Sequence, residues 1–249
     1  MKLKNNIIIL RAKGPIKNNY LKNMLSDLNY NILSFPILEI KSIYNKNINI
    51  SKDALVFTTS YYGVYFLSKL CKEKNFSLFT LGEASKKLAI KLGYKNIIEC
   101  SEDSANMLEV FLKNKNNFLK NEKGEIIYAG AKNISFNLPG KISELGYKVK
   151  RYKLYRSDSI EKLNLKFVNL VKKNSVSWII LLSTKGAKNF SLLSKKNFSN
   201  KDISHIKFLC ISNKVAKVLN KNKYTRFFPE FSGVDNIKKI ILNNGGKHG

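Results

Sequence analysis

Along the chain, short and nearly solid hydrophobic runs alternate with stretches where apolar residues recur every three or four positions. The runs at 7–10, 31–35, 54–57, 78–81, 97–100, 126–128, 148–152, 178–182, 208–211 and 226–228 predict strands, the second ending at Pro36. Amphipathic stretches at 16–28, 63–70, 84–92, 105–113, 136–145, 187–193, 214–219 and 234–242 predict helices between most of them. Strands that are apolar throughout, each followed by a helix, belong to parallel sheets covered on both faces. The pattern therefore predicts an α/β protein.

An internal repeat sharpens that prediction. Leu25-Ser-Asp-Leu-Asn-Tyr-Asn-Ile32 lies over Ile142-Ser-Glu-Leu-Gly-Tyr-Lys-Val149 at an offset of 117. Ser60-Tyr-Tyr-Gly-Val64 lies over Ser183-Thr-Lys-Gly-Ala187 at 123, and 82–112 over 212–242 at 130, with Tyr94 on Tyr224. Three blocks in one order, separated by loop-sized differences, indicate two copies of a βα-rich unit, roughly 1–113 and 125–242.

Composition changes the picture in one respect. The chain has 249 residues and is 44% hydrophobic, enough for one or two domains with their own cores. Its 45 Lys+Arg against 17 Asp+Glu leave a formal charge of +28, which first suggests nucleic acid. Only Arg11, Arg151, Arg156 and Arg226 carry the guanidinium suited to bidentate phosphate and guanine contacts, and no three Lys/Arg are adjacent. With 31 Asn and abundant Ile, the bias reads as the drift of an AT-rich bacterial genome that fills exposed positions with Lys. No nucleic-acid partner is expected.

The longest plainly apolar run, 178–182, is far short of the ~20 residues that span a bilayer, so no membrane partner is expected. Asn5 and Asn6 break the first apolar stretch and no small-residue cleavage site follows. Cys71, Cys100 and Cys210 are odd in number and far apart, with no CxxC. These features point to a reducing, cytoplasmic location, and the Gly-rich end at 243–249 is expected to fray.

Much chemistry is excluded. Two histidines, His205 and His248, build no ligand cluster and no Ser-His-Asp set, so no metal is expected. Neither GxGxxG nor GxxxxGK[ST] occurs, which removes the main support for dinucleotide and P-loop readings. What remains is a series of small polar loops after strands: Thr58-Thr59-Ser60, Gly82-Glu83-Ala84-Ser85, Gly130-Ala131-Lys132, Ser183-Thr184-Lys185-Gly186 and Ser212-Asn213-Lys214. In open α/β sheets that edge binds ligands, because helix N-termini there present free N–H groups. A Ser or Thr in such a turn is also a common helix cap. Recurrence in both halves favours a cleft of N–H and hydroxyl donors suited to a ligand with many carboxylates or phosphates.

In order and spacing these motifs resemble the uroporphyrinogen-III synthase family. The residues concerned are Ile9-Leu-Arg-Ala12, Val56-Phe-Thr-Thr-Ser60 with Val64, Leu81-Gly-Glu-Ala-Ser85 with Gly93, and Ile127-Tyr-Ala-Gly130. Leu145-Gly-Tyr-Lys-Val149 leading to Tyr155-Arg156, Leu182-Ser-Thr-Lys-Gly186 and Cys210-Ile-Ser-Asn213 complete the set. Each motif is short and degenerate, and together they cover nearly the whole chain.

The resemblance implies two flavodoxin-like domains with parallel sheets, the second inserted into the first and joined to it by a two-stranded linker. One domain would be 1–36 with 160–242, the other 43–150, and the linker strands 37–41 and 153–157. It implies a cyclising hydro-lyase that converts hydroxymethylbilane, with inversion of ring D and loss of water, into uroporphyrinogen III in haem biosynthesis. It further implies a monomer without cofactor, supplied by hydroxymethylbilane synthase. Tyr155 matches the family's implicated tyrosine and is the candidate general acid, although a Tyr there also suits packing between domains. Substrate-binding candidates are Arg11, Thr59, Ser60, Ser85, Ala129, Gly130, Ser183, Thr184, Lys185, Asn213 and Lys214.

Some positions depart from the family pattern. Ser85 stands for Thr, Ala12 for Pro, and Ser212-Asn-Lys-Val215 for a Gly-Pro-Thr-Thr type of turn, where Ser212 is expected to crowd the backbone. Two other readings fit the residues: a flavodoxin-like nucleotide or small-anion binder using the loop at Ser183, and a non-specific nucleic-acid binder relying on its charge.

Overall fold

The computed structural model describes residues 5–100, 104–118, 125–230 and 234–244. In chain order the elements are β1 (Asn6–Lys13), α1 (Tyr20–Met24), β2 (Asn31–Ser42), β3 (Leu55–Thr58), α2 (Tyr61–Leu70), β4 (Ser77–Leu81), α3 (Glu83–Lys91), β5 (Asn96–Cys100), α4 (Ser104–Phe118) and β6 (Ile126–Ala131). They continue with α5 (Leu138–Glu144), β7 (Val149–Ser159), α6 (Leu165–Lys172), β8 (Val176–Leu181), α7 (Thr184–Asn197), α8 (Asn200–Ile203), β9 (Lys207–Cys210), α9 (Asn213–Ala216), β10 (Thr225–Phe227) and α10 (Val234–Asn244).

The described residues form two compact units. Unit 1 comprises those up to Ile40 and from Ser157 on; unit 2 is Lys41–Arg156. Strands β2 and β7 are continuous through the two boundaries. Unit 1 has the strand order β2-β1-β8-β9-β10, every pairing parallel. Unit 2 has β7-β6-β3-β4-β5, again parallel throughout. Each unit thus takes two strands from one sequence repeat and three from the other.

Side-chain alternation along the strands builds the core on both faces of the unit 1 sheet. Ile8, Leu10, Ile179, Leu181 and Phe208 pack with Phe167, Val171 and Phe190 on one face. Ile7, Ile9, Trp178, Ile180 and Leu209 pack with Leu25, Ile237 and Ile241 on the other. Removing a side chain of this size from water contributes about 1.5–3 kcal/mol, and Trp178 is only 1% exposed. In unit 2, Leu55, Phe57, Phe79 and Tyr128 meet Met107, Phe111 and Ile142, with Phe57 stacked on Phe79 at 4.4 Å.

Several expectations change. Strand β2 does not end at Pro36 but continues to Ser42. Pro36 pairs with Arg11, and the register then skips Ile37 so that Ala12 faces Leu38. A proline with no N–H to offer is accommodated beside such a bulge. Helix α1 shrinks from the expected 16–28 to five residues. Its Asn19 makes no side-chain cap, the residues before it (Gly14, Pro15, Asn18) are poor helix formers, and Ser26 and Leu28 close three-residue turns instead. Helix α9 likewise stops at Ala216, after which Val218 and Leu219 bond back three residues. Helices α6 and α8, neither of them expected, are capped by Asn164 and Ser199. Asn243 and Asn244, assigned to a frayed tail, complete α10, while 245–249 and His248 lie outside the described residues.

Candidate functional site

In each unit the strand order reverses at one place, between β1 and β8 in unit 1 and between β6 and β3 in unit 2. Loops leaving the carboxyl ends of those strands diverge, and parallel α/β sheets bind ligands at such a point. The candidate residues cluster around it in both units.

In unit 2, Ser60 caps α2: its Oγ accepts the Gly63 N–H at 3.0 Å. The same Oγ lies 2.7 Å from the Tyr155 hydroxyl. A Cβ at Gly63 would be a tight fit, meeting Ser60 Oγ at 3.1 Å and the Ala129 carbonyl at 3.3 Å. Thr59 Oγ1 lies 2.8 Å from the Tyr128 hydroxyl, so Thr59 and Ser60, just after β3, stand together with Ala129 and Gly130 on β6 and Tyr155 on β7. Ser85, past the end of the next strand out, is buried in the first turn of α3.

Tyr155 packs within unit 2, stacked on Phe66 at 5.6 Å and set edge-on to Tyr62 at 6.2 Å. Burial pushes its phenol up to about 12, a shift the Ser60 hydrogen bond partly offsets and the neighbouring Tyr128 and Tyr62 reinforce. Such a phenol stays protonated across the neutral range and is a hydrogen-bond donor there. Burial raises Tyr128 as well, against the opposing pull of Thr59 and Arg151.

In unit 1, Ser183 caps α7 in the same manner, its Oγ accepting the Gly186 N–H at 3.0 Å. Thr184 and Lys185 follow in the first turn, with the Lys185 ammonium on the Ser157 carbonyl. Arg11 sits half-buried on β1, paired with Pro36 of β2. Asn213 and Lys214 are exposed at the start of α9, one strand further out. Ser212 does not call for a glycine conformation: its backbone is extended, at φ −158° and ψ 164°.

Three contributors were missed in the sequence. Arg151 Nη2 donates to the Ala131 and Lys132 carbonyls at 3.3 and 2.7 Å and its guanidinium lies over the Tyr128 ring at 5.9 Å, fixing the β6 edge. Tyr128 holds Thr59 in place. Asn189, buried in α7, donates to the Ile37 and Ile160 carbonyls at 2.8 and 3.0 Å and so ties β2 to the segment after β7. The signal for Arg151 was its scarcity. In a chain so rich in Lys, Arg151 and Arg226 each donate to two backbone carbonyls, a task for which a planar fork is suited.

Among the described residues no group of His, Cys, Asp and Glu could hold a metal ion, and no helix is long and apolar enough to cross a membrane. The fold and edges define a class: a parallel α/β protein of two units, each with hydroxyl, backbone N–H and cationic groups at a strand-order reversal. The family model for uroporphyrinogen-III synthase HemD matches residues 20–235, and the chain belongs to that family of tetrapyrrole-synthesis enzymes. The crystal structure of uroporphyrinogen-III synthetase from Helicobacter pylori 26695 is similar in fold, with a TM-score of 0.61 at 18% identity, covering 96% of this chain and 99% of that one. A mutant uroporphyrinogen III synthase from the extremely thermophilic bacterium Thermus thermophilus aligns at 13% identity over 95% of this chain and 96% of its own, with a TM-score of 0.49. No curated protein matches the sequence.

Proposed function

We propose that the chain cyclises hydroxymethylbilane to uroporphyrinogen III, inverting ring D and releasing water, as a cofactor-free lyase. Each unit is read as a flavodoxin-like domain, unit 2 being inserted into unit 1 through β2 and β7. The order β2-β1-β8-β9-β10 is the 2-1-3-4-5 arrangement of that fold, and β7-β6-β3-β4-β5 in unit 2 is its circular permutation. The observation that carries the function is the family match across 20–235, combined with an edge in each unit where a helix N-terminus and hydroxyl side chains meet at the strand-order reversal.

The chemistry asks little of the protein. A hydroxymethyl group on an electron-rich pyrrole leaves with the help of the ring nitrogen lone pair, so neither nucleophile nor metal is required. The protein's share is to hold a flexible polyanion in the productive conformation, an orientation effect, and to protonate the departing oxygen. Tyr155 is assigned the second task, and Arg11, Thr59, Ser183, Thr184, Lys185 and the backbone at Ala129 and Gly130 the first; Ser60, whose hydroxyl is engaged with Gly63 and Tyr155, belongs with Tyr155. Ser85, Asn213 and Lys214 are placed further out and would contact only the ends of the substrate. We assign the protein to the cytoplasm as a monomer that receives hydroxymethylbilane from its synthase.

The test supplies hydroxymethylbilane to the purified protein, oxidises the products and resolves the isomers by chromatography. Type III is expected. Type I alone, as in an enzyme-free control, would overturn the assignment.

A further inference from the structure

The hydrogen bond between Ser60 and Tyr155 can run either way, and loss of the phenol proton selects one direction. A serine hydroxyl has one proton and two lone pairs. One lone pair of Ser60 Oγ already receives the Gly63 N–H at 3.0 Å. That bond draws electron density from the oxygen, which makes Ser60 a better donor and a poorer second acceptor. Tyr155 lies 2.7 Å away and either hydroxyl can donate at rest, but once the phenol has given up its proton only Ser60 can donate to the oxygen left behind. Its ring is fixed by Phe66 and Tyr62, so the phenol oxygen has little freedom to turn elsewhere.

Capping alone does not account for this contact. Ser183 makes the same cap with Gly186 at 3.0 Å, yet the position matching Tyr155 holds Leu38. A helix-capping serine occurs in this fold without a phenol, and the phenol is the addition.

We propose that Ser60 is a positioning residue for Tyr155, donating its O–H to the phenol oxygen and leaving the phenol proton free for the departing hydroxyl of the substrate. This rests on the assignment of Tyr155 as the acid. In the step, the C–O bond of the hydroxymethyl group breaks and its electron pair goes to oxygen. The Tyr155 proton completes a water molecule, and the pyrrole nitrogen lone pair compensates the carbon. The resulting phenolate is held by the Ser60 O–H and regains a proton from the one released when the macrocycle closes.

The test compares kcat, KM and melting temperature for the unaltered protein, Ser60→Ala, Ser60→Thr, Tyr155→Phe and the double variant Ser60→Ala/Tyr155→Phe, with hydroxymethylbilane as substrate. Ser60→Ala is expected to lower kcat about tenfold with KM little changed, as for one lost bond to a developing charge. Ser60→Thr, which keeps both cap and hydroxyl, should restore most of the rate, and in the Tyr155→Phe background Ser60→Ala should lower kcat no further. Ser60→Ala that melts earlier at an unchanged kcat, or an effect that adds in full to that of Tyr155→Phe, overturns the positioning role and leaves the acid in place. A Tyr155→Phe variant with full kcat overturns the assignment beneath it.

Discussion

The carboxyl edges of the two units share a backbone plan and differ in the side chain that meets the capping serine. Ser60 and Ser183 cap their helices at φ −164° and −161°, both with ψ 152°, and each accepts a glycine N–H at 3.0 Å. Strand β7 skips Leu154 between Lys153 and Tyr155, as β2 skips Ile37 between Pro36 and Leu38. In unit 2 the residue after the bulge is Tyr155, within hydrogen-bond reach of the capping serine. In unit 1 it is Leu38, part of the apolar core. The backbone device is therefore general to the fold, and the proton-bearing group belongs to one copy.

If that difference matters, its largest effect is on turnover. Tyr155→Phe removes only an oxygen and keeps the stack on Phe66, so stability should fall by about 1 kcal/mol, the net worth of one hydrogen bond. Turnover should fall about a hundredfold, the lower end for a general acid. Chromatography of the oxidised products and a thermal melt measure the two; parallel losses in both would make Tyr155 a packing residue. A phenol held near 12 also predicts no rate change from this group between about pH 6 and 9. The stability counterpart has a definite sign. Tyr155, Cys100 at about 11 and Cys210 at about 12 are all raised by burial above ordinary values of 9.0 to 10.0. Their contribution is intact below about pH 9 and is lost as the pH climbs through about 11 and 12, so melting temperature should be flat and then drop on the alkaline side.

The second contrast lies at the turns after β4 and β9, which are matched in the repeat. Gly82 has φ +74° and ψ 155°, a conformation reserved for glycine, whereas Ser212 is extended. Gly82→Ser should cost roughly 1–3 kcal/mol although a Cβ there meets nothing within 4 Å, because the penalty is in the backbone. Ser212→Gly should cost less than about 1 kcal/mol. Denaturant titration of the two variants checks this, and equal losses would mean that the turns are interchangeable.

Much of this architecture was legible in the sequence. All the strands were, because parallel strands covered on both faces are short solid apolar runs. Helices read less well: α6 carries Phe167, Val168 and Val171 at helical spacing behind the Asn164 cap, yet fell in a stretch where no element was expected. Stretch 16–28 has the apolar period without the caps that sustain a helix. At the site, the capping serines were readable because a cap is local. Ser60 with Tyr155, and Thr59 with Tyr128, join residues 95 and 69 apart, and only the strand order brings them together. Arg151 was hidden for the same reason, its two carbonyl partners lying across the β6–β7 pairing.

A smaller effect compares the caps themselves. Ser183→Ala should lower stability by about 1 kcal/mol, the usual worth of an N-cap, and weaken uroporphyrinogen III binding a few-fold through the lost hydroxyl. No phenol depends on Ser183, so kcat should hold, in contrast to Ser60→Ala. Calorimetric binding of the product alongside a melt separates the cases. A melting shift with unchanged binding would leave Ser183 as a cap alone.

The smallest effect is expected where the units do not differ. The charge of +28 comes from Lys spread along the chain, and exposed Lys132 and Lys185 flank the two edges. A basic surface speeds the encounter with a polycarboxylate without acting on the bound state, and salt screens it over ~10 Å at 0.1 M. Raising salt from about 50 to about 500 mM should therefore lower kcat/KM several-fold and leave kcat alone. Lys132→Gln should change kcat/KM by less than about twofold, since it removes one charge from a broad field. A large loss from Lys185→Gln alone would place a specific carboxylate contact in unit 1 and make that edge more than a scaffold for its counterpart.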